Sequence, residues 1–322
     1  MKAYVYGANG AEITDVARPS PKGTQVLVKV HACGLNRADL GMTKGHAHGA
    51  AGGAGTVLGM EWAGEIAELG PDARGIKVGD KVMGSGGAAF AEYTLADHGR
   101  LFRTPSNMNF EDAATLPIAL ATMHNAVVTN GALQPGQSLL IQGASSGVGL
   151  MAMQIAKLKG AAIVIGSSTD AIRRGRLKEF GADLAVDSSD PGWVDQVLQA
   201  TGGEGVDLIV DQVSGKVASQ NLAAAKIKGR IVNVGRLGGT HADFNFDLHA
   251  ARRINYIGVT FRTRSIEEIR DIFSEVREDI WPAVESRRLQ LPIDKVFAFA
   301  DIGKAFDRME ANQHFGKIVV TL

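Results

Sequence analysis

The sequence predicts an α/β protein in two units, one β-rich and one built on a doubly wound parallel sheet. Three observations carry that expectation. Short strand-like runs parted by Gly and Pro occupy residues 1–119. Strand and helix patterns then alternate through 120–262. Inside that alternation, SLLIQGASSGVGLMAMQIAKLKGAAIVIGSSTD (138–170) reads as strand, small-residue turn, helix and strand. At 322 residues the chain also exceeds one ordinary core, which favours two domains.

In chain order, 2–6, 25–31, 61–69, 81–84 and 91–95 read as the strands of an all-β, barrel-like unit. The runs 139–142, 161–165, 184–187, 208–211, 230–234 and 256–260 read as parallel strands with helical stretches between them. The tail is mixed: a helix over 265–279, a strand over 295–300, a helix over 301–311 and a last strand over 317–322. A terminal strand after a helix is expected to rejoin the N-terminal unit. The expected domains are therefore 1–119 with 263–322, and 120–262.

Composition removes several function classes. Lys+Arg and Asp+Glu balance at 34 each, so no global field recruits nucleic acid or an anionic membrane. No apolar run reaches about 18 residues, and MKAYVYGANG lacks the apolar core of a signal peptide. The single cysteine, Cys33, excludes an intrachain disulfide and suits a reducing compartment. The expectation is a cytoplasmic protein with a small-molecule substrate.

The 138–170 unit is the most specific local signal. Leu139 to Gln142 make a short buried strand, and Gly143 to Gly149 supply a turn with little side-chain bulk. Leu150, Met153, Ile155 and Leu158 recur at helical spacing until Gly160 stops the run. A helix opening behind such a turn aims backbone N–H groups and its positive dipole end at a pyrophosphate. The G-x-G-x-x-G fingerprint appears as Ala144-x-Ser146-x-x-Gly149, residues small enough for close backbone approach. Ala144, Ser145, Ser146, Gly147, Val148 and Gly149 are thus candidate cofactor contacts; a purely structural turn is the alternative.

An NAD site wants an Asp or Glu about 20 residues past the turn for the ribose 2′-hydroxyl. Here the second strand runs into Gly166-Ser167-Ser168-Thr169, with no acid before Asp170. Ser167 and Ser168 leave room for a 2′-phosphate, and Arg173 and Arg174 follow within one helical turn. NADPH is the expected cofactor. The alternative places both arginines on a solvated helix face.

Five ordered motifs then resemble one family. They are Gly34-Leu35-Asn36-Arg37-Ala38-Asp39, Gly59-Met60-Glu61-Trp62-Ala63-Gly64, Val78-Gly79-Asp80-Lys81-Val82, Ala89-Phe90-Ala91-Glu92-Tyr93 and the turn 143–149. The chain resembles the medium-chain dehydrogenase/reductase superfamily along essentially its whole length. The resemblance implies a GroES-like catalytic domain, split between N- and C-terminal segments, around a Rossmann domain.

Zinc dehydrogenases of that superfamily hold their metal with thiolate and imidazole. The position resembling the family's Cys ligand is Asn36 and that resembling its His ligand is Met60. A structural zinc needs four cysteines and the chain has one. His46-x-His48 lies in a Gly/Ala run, 45–55, that offers no third ligand. No metal is expected, which leaves a resemblance to the zinc-free quinone oxidoreductase (zeta-crystallin-like) branch and its double-bond-reductase relatives. Thr260-Phe261-Arg262-Thr263-Arg264-Ser265 and the closing Gly316-Lys317-Ile318-Val319-Val320 resemble runs found there.

The resemblance implies hydride delivery from nicotinamide to an electron-poor acceptor, with the cofactor carrying the reactivity. It places Val234, Gly235 and Arg236 beside the nicotinamide, together with Thr122 and Phe261, and Lys317 on the cofactor; Asp211-Gln212-Val213 ends another strand at the ligand-binding edge. Core packing is the other reading of Val234 and Phe261. Asn36 is the first candidate for donating to a substrate carbonyl, and capping a turn ahead of Asp39 is its alternative. Relatives often carry a Tyr where Gly41 stands; its absence favours a quinone, which can take protons from water. His124 is read either as a donor or as a buried structural residue, and Glu61 and Asp80 as structural. The 45–55 run reads as a loop over the substrate cleft or as a surface loop without a role.

Three functions follow: an NADPH-dependent quinone oxidoreductase, an enone or enoyl-thioester reductase, and a non-catalytic NADPH-binding protein. By analogy with relatives, a homodimer joined along 255–261 is expected.

Overall fold

A computed structural model describes residues 1–49 and 52–322. Ala50 and Ala51, at the centre of the expected 45–55 loop, lie outside the described residues. The chain divides into two compact units, Met1–Ala121 with Phe261–Leu322, and Thr122–Thr260.

Fifteen strands form among the described residues. The first seven are β1 (Lys2–Gly7), β2 (Gly10–Asp15), β3 (Gln25–Gly34), β4 (Glu61–Leu69), β5 (Lys81–Ser85), β6 (Tyr93–Asp97) and β7 (Leu101–Arg103). The second unit holds β8 (Ser138–Gln142), β9 (Ile163–Ser167), β10 (Leu184–Val186), β11 (Val206–Asp211), β12 (Ala225–Asn233) and β13 (Asn255–Gly258). The chain closes with β14 (Ile293–Ala298) and β15 (Lys317–Thr321).

In the first unit a seven-stranded sheet runs β14-β15-β3-β4-β5-β7, with β6 also on β3, and β1 and β2 make a separate hairpin. The closing strand β15 lies antiparallel on β3, Val320 opposite Cys33. Its core gathers Val28, Trp62, Phe90, Phe306 and Ile318. β2 and β7 escape the sequence reading. β2 is a half-exposed hairpin arm without apolar alternation, and β7 is three residues long.

The second unit is a parallel sheet in the order β10-β9-β8-β11-β12-β13. The order reverses between β8 and β11, the switch point where ligands bind in open α/β sheets. Leu140, Ile165, Ile209 and Ile231 fill its core from neighbouring strands. β9 starts two residues later than its apolar run suggests. Gly160 turns at φ +80° and the Ala162 N–H still serves Gln137 O in the turn.

Candidate functional site

The small-residue turn is shaped by two close approaches. Gly143 takes φ +76°, a left-handed conformation that favours glycine. A Cβ on Gly149 would stand 2.7 Å from Ala144 Cα and O, so only glycine lets the helix Gly147–Leu158 come this near the turn. Ser146 caps that helix, its Oγ accepting from Gly149 N at 3.1 Å. The N–H groups of Gly147 and Val148 lie in the first turn, without intrahelical acceptors, and the dipole adds to them an anion-binding end. Ala144 is buried and Ser145 half-buried, its Oγ 3.1 Å from Ser168 Oγ.

At the end of β9, Ser167 turns inward. Its Oγ accepts from Gly143 N at 3.1 Å and donates to Gln142 Oε1 at 2.6 Å. Asp170, the first acid past the strand, caps the helix Ala171–Gly175 by accepting from Arg173 N at 2.8 Å. That bond and the Arg173 guanidinium, 3.6 Å away, hold its carboxyl below the ordinary range. Arg174 donates to Ser168 O at 2.8 Å and to Asp187 Oδ2 at 3.0 Å. The carboxylates nearest this strand end are therefore engaged by the two arginines.

The loop after β12 is pinned to the end of β11. Val234 N and Gly235 N donate to Asp211 O at 2.7 and 3.1 Å, and a Cβ on Gly235 would meet Gln212 O at 2.6 Å. Arg236 is exposed and donates to Val234 O at 3.1 Å. Gln212 reaches back to the small-residue turn, its Oε1 accepting from Ser146 Oγ at 3.0 Å. Burial raises the Asp211 carboxyl above its usual range, against the N–H groups of Ser214 and Val213 that pull it down. Thr122 is half-buried where the second unit begins.

In the first unit, half-buried Asn36 joins the buried Glu61 and Lys317 in one cluster. Lys317 Nζ lies 2.5 Å from Glu61 Oε2 and 2.9 Å from Asn36 Oδ1. Asn36 Nδ2 donates to Glu61 Oε2 at 3.0 Å and to Gly34 O at 3.3 Å. Glu61 Oε1 takes the Ile118 N–H at 2.6 Å. Both ends of the Asn36 amide are thus engaged inside the unit. Asp39 Oδ2 accepts Asn36 N at 2.7 Å, while its Oδ1 is buried without a hydrogen-bond partner. Burial pushes the Asp39 carboxyl up to about 7, against the Asn36 N–H and the Lys317 charge. Burial likewise raises the Cys33 thiol, which donates to Ala89 O. Phe261 is half-buried with the Arg264 guanidinium 5.8 Å from its ring centroid.

His46 and His48 do not converge on a third ligand. His46 packs 3.9 Å from where a Gly41 Cβ would be, and burial beside Arg262 holds the His48 imidazole below its ordinary value. Among the described residues no three His, Cys, Asp or Glu stand together as a metal site. Sequence reasoning placed Gln212 at the ligand-binding edge but missed Gln142, Ser214 and Asn221. A polar residue closing an apolar strand marks Gln142, whereas Asn221 carries no local signal.

Comparison with known proteins agrees with this architecture. Residues 22–106 match the alcohol dehydrogenase GroES-like domain and residues 147–278 the zinc-binding dehydrogenase family. The chain is 29% identical over 312 residues to a component of the phenolphthiocerol/phthiocerol polyketide synthase of Mycobacterium tuberculosis. That match takes in 96% of this chain but spans 14% of that protein's length. Identity to quinone oxidoreductase-like protein 2 of Mus musculus is 30% over 312 residues, 96% of this chain and 88% of that one. A solved alcohol dehydrogenase superfamily protein from Novosphingobium aromaticivorans superposes with a TM-score of 0.90 at 30% identity, covering 100% and 99% of the two chains. On these likenesses the chain belongs to the medium-chain dehydrogenase/reductase superfamily, in its quinone oxidoreductase-like branch.

Proposed function

We propose that the chain is an NADPH-dependent oxidoreductase that passes a hydride to a quinone or similar electron-poor acceptor without zinc. The end of β9 carries the cofactor choice. Its first acid, Asp170, caps a helix with the Arg173 guanidinium 3.6 Å away, Asp187 is held by Arg174, and Ser168 and Arg173 are the residues we assign to a ribose 2′-phosphate at this edge. The nicotinamide supplies the hydride when bound. Gly147 and Val148 N–H hold the pyrophosphate at the helix end. Val234, Gly235 and Arg236 flank the nicotinamide on a loop held by Asp211, with Thr122 as a further contact. Phe261 stays a candidate from the resemblance, and the Asn36 amide has both ends engaged within its own unit. Lys317, the remaining cofactor candidate from the resemblance, is 5% exposed and gives two of its three ammonium donors to Glu61 and Asn36 within its own unit.

The donor set of the first unit does not suit zinc. An amide and a thioether stand at the two expected ligand positions, and Glu61 already holds an ammonium and a backbone N–H. Gly41 leaves no hydroxyl where relatives carry Tyr, which suits an acceptor that takes its protons from water. A single buried cysteine fits the cytoplasm. β13 is an edge strand beside a surface cavity of about 520 Å³ lined by Phe244, Phe246, His249 and Tyr256, which supports a homodimer joined along that edge. A 27% identity along 94% of the chain to a polyketide synthase named as reducing supports a second reading, reduction of an activated carbon–carbon double bond.

Assays of both nicotinamide cofactors against ortho-quinones, enones and 2-alkenals test these readings. NADPH oxidation with an ortho-quinone is expected, at least about tenfold better than with NADH. Turnover of enones alone moves the assignment to the second reading, and NADPH binding without turnover to a binding protein. Arg173→Glu should weaken NADPH by about ten- to a hundredfold and spare NADH. Equal effects on the two cofactors overturn the role of Arg173.

A further inference from the structure

Four polar side chains at the carboxyl edge of the second unit's sheet, Gln142, Ser167, Asp211 and Asn221, are all 0% exposed. They form one line of hydrogen bonds. Gly143 N donates to Ser167 Oγ at 3.1 Å, and Ser167 Oγ donates to Gln142 Oε1 at 2.6 Å. Gln142 Nε2 donates to Asn221 Oδ1 at 2.9 Å, and Asn221 Nδ2 donates to Asp211 Oδ2 at 3.0 Å. The other Asp211 oxygen takes the N–H groups of Val213 at 2.8 Å and Ser214 at 2.9 Å.

Each donor in the line points toward the Asp211 carboxylate. That polarity leaves one arrangement. A flipped Asn221 amide would set donor against Gln142 Nε2 and acceptor against Asp211, leaving buried polar groups unpaired. One end of the line is the phosphate turn, at Gly143. The other is Ser214, a non-glycine residue at φ +57°, ψ −147°, a conformation that persists only where its surroundings over-determine it. Ser214 is held by its N–H on Asp211, by its hydroxyl on Gly235 O at 2.6 Å and by the Asn233 amide on its Oγ.

We propose that Asn221 is a positioning residue whose buried amide locks the turn at 143–149 and the loop at 213–214 into one arrangement, so that both ends of the dinucleotide meet preformed backbone. This rests on the cofactor reading above. Asn221 sits on the helix Ala218–Ala224, buried away from any ligand, and acts only through Gln142 and Asp211. An apolar residue of similar volume could fill the same space, but it would not fix the direction of the line.

The test exchanges the two ends of one bond. Asn221→Asp sets two carboxylates together, and Asp211→Asn removes the charge the line points to. In the double variant the new carboxylate at 221 accepts from Gln142 Nε2 and from the new amide at 211, whose oxygen keeps the Val213 and Ser214 N–H groups. Every bond to Gln142, Val213 and Ser214 is then restored in its original direction. Amide hydrogen exchange is followed in the ligand-free protein at Gly143, Val213 and Ser214, alongside the Kd for NADPH and for adenosine 2′,5′-bisphosphate. Asn221→Asp is expected to speed exchange at both ends and to weaken NADPH, each by about tenfold, with recovery to within about threefold in the double variant. Ser167→Ala, a smaller change that keeps the fold should Asn221→Asp lose it, is expected to loosen Val213 and Ser214 as well as Gly143. Effects confined to the mutated end, or a double variant no better than the worse single one, overturn the proposal. A wild-type protein that binds neither nucleotide overturns the cofactor reading, while the exchange data still decide the role of Asn221.

Discussion

Lys317 Nζ lies 2.5 Å from Glu61 Oε2, and the two residues are 5% and 0% exposed. They reach each other past the end of β3, the strand that separates β15 from β4. Gly34 makes the meeting possible. A Cβ there would stand 2.9 Å from Glu61 Oε2 and 3.2 Å from Lys317 Cε. Asn36 and the Ile118 N–H complete the shell around the carboxylate.

Removing one partner of such a pair leaves a buried charge uncompensated. Lys317→Met should therefore lower unfolding stability by about 3–5 kcal/mol, measured by urea denaturation. The double change Glu61→Gln with Lys317→Met should cost less than Lys317→Met alone. Simple additivity of the two single changes would show that the pair is not coupled.

Asp39 titrates in the opposite sense to most carboxyls. Burial raises it from 3.8 to about 7, so the stability its protonated form contributes is full below about 4 and is lost as pH rises through about 7. Asp39→Asn removes that dependence. Between pH 4 and 8 the variant should gain on the wild type as pH rises, by about 1 kcal/mol or more in chemical denaturation. A difference that does not change with pH would remove Asp39 from its buried, partner-poor role.

Asp97 behaves in the usual direction. Burial would raise it, but Arg270 at 2.6 and 2.8 Å, Thr24 Oγ1 at 2.7 Å and Gly99 N at 2.9 Å hold it at about 2. Its stabilisation is present above about 4 and is lost as pH falls through about 2. Arg270→Leu should cost about 1.5–3 kcal/mol at neutral pH. The variant should also unfold with a shallower acid limb, read from the melting temperature between pH 5 and pH 2.

Gly149→Ala places a methyl 2.7 Å from the backbone of Ala144 and Gly143, which cannot give way as a side chain tip would. A loss of about 1–3 kcal/mol in stability is expected, with much weaker nucleotide binding by titration. Gly175→Ala, where a Cβ meets open space, is the control and should stay within about 0.5 kcal/mol. Equal behaviour of the two would mean the turn tolerates a wider separation from its helix.

The small-residue turn and its helix were legible because their requirements are local. Small residues at Ala144, Ser146 and Gly149, then apolar residues at helical spacing, state their own geometry within twenty residues of chain. The order of strands and helices was readable for the same reason, and the runs missed, β2 and β7, are those with too little apolar alternation or too few residues. Asp170 illustrates the limit. Its position past β9 was plain, but that its carboxylate would be consumed by the Arg173 N–H needed the turn of the helix that follows.

The chain's own order of residues thus determines the two-unit α/β fold and the small-residue turn with its helix, written in local periodicity and spacing, and points to the family through the resemblance of its motifs. Only the tertiary structure decides which polar groups meet. Asn36 and Lys317 are 281 residues apart, Glu61 and Lys317 are 256 apart, and Gln142 and Asn221 are 79 apart. Residues that distant pair because strands cross between them and burial withdraws water as an alternative partner. No period along the chain encodes that.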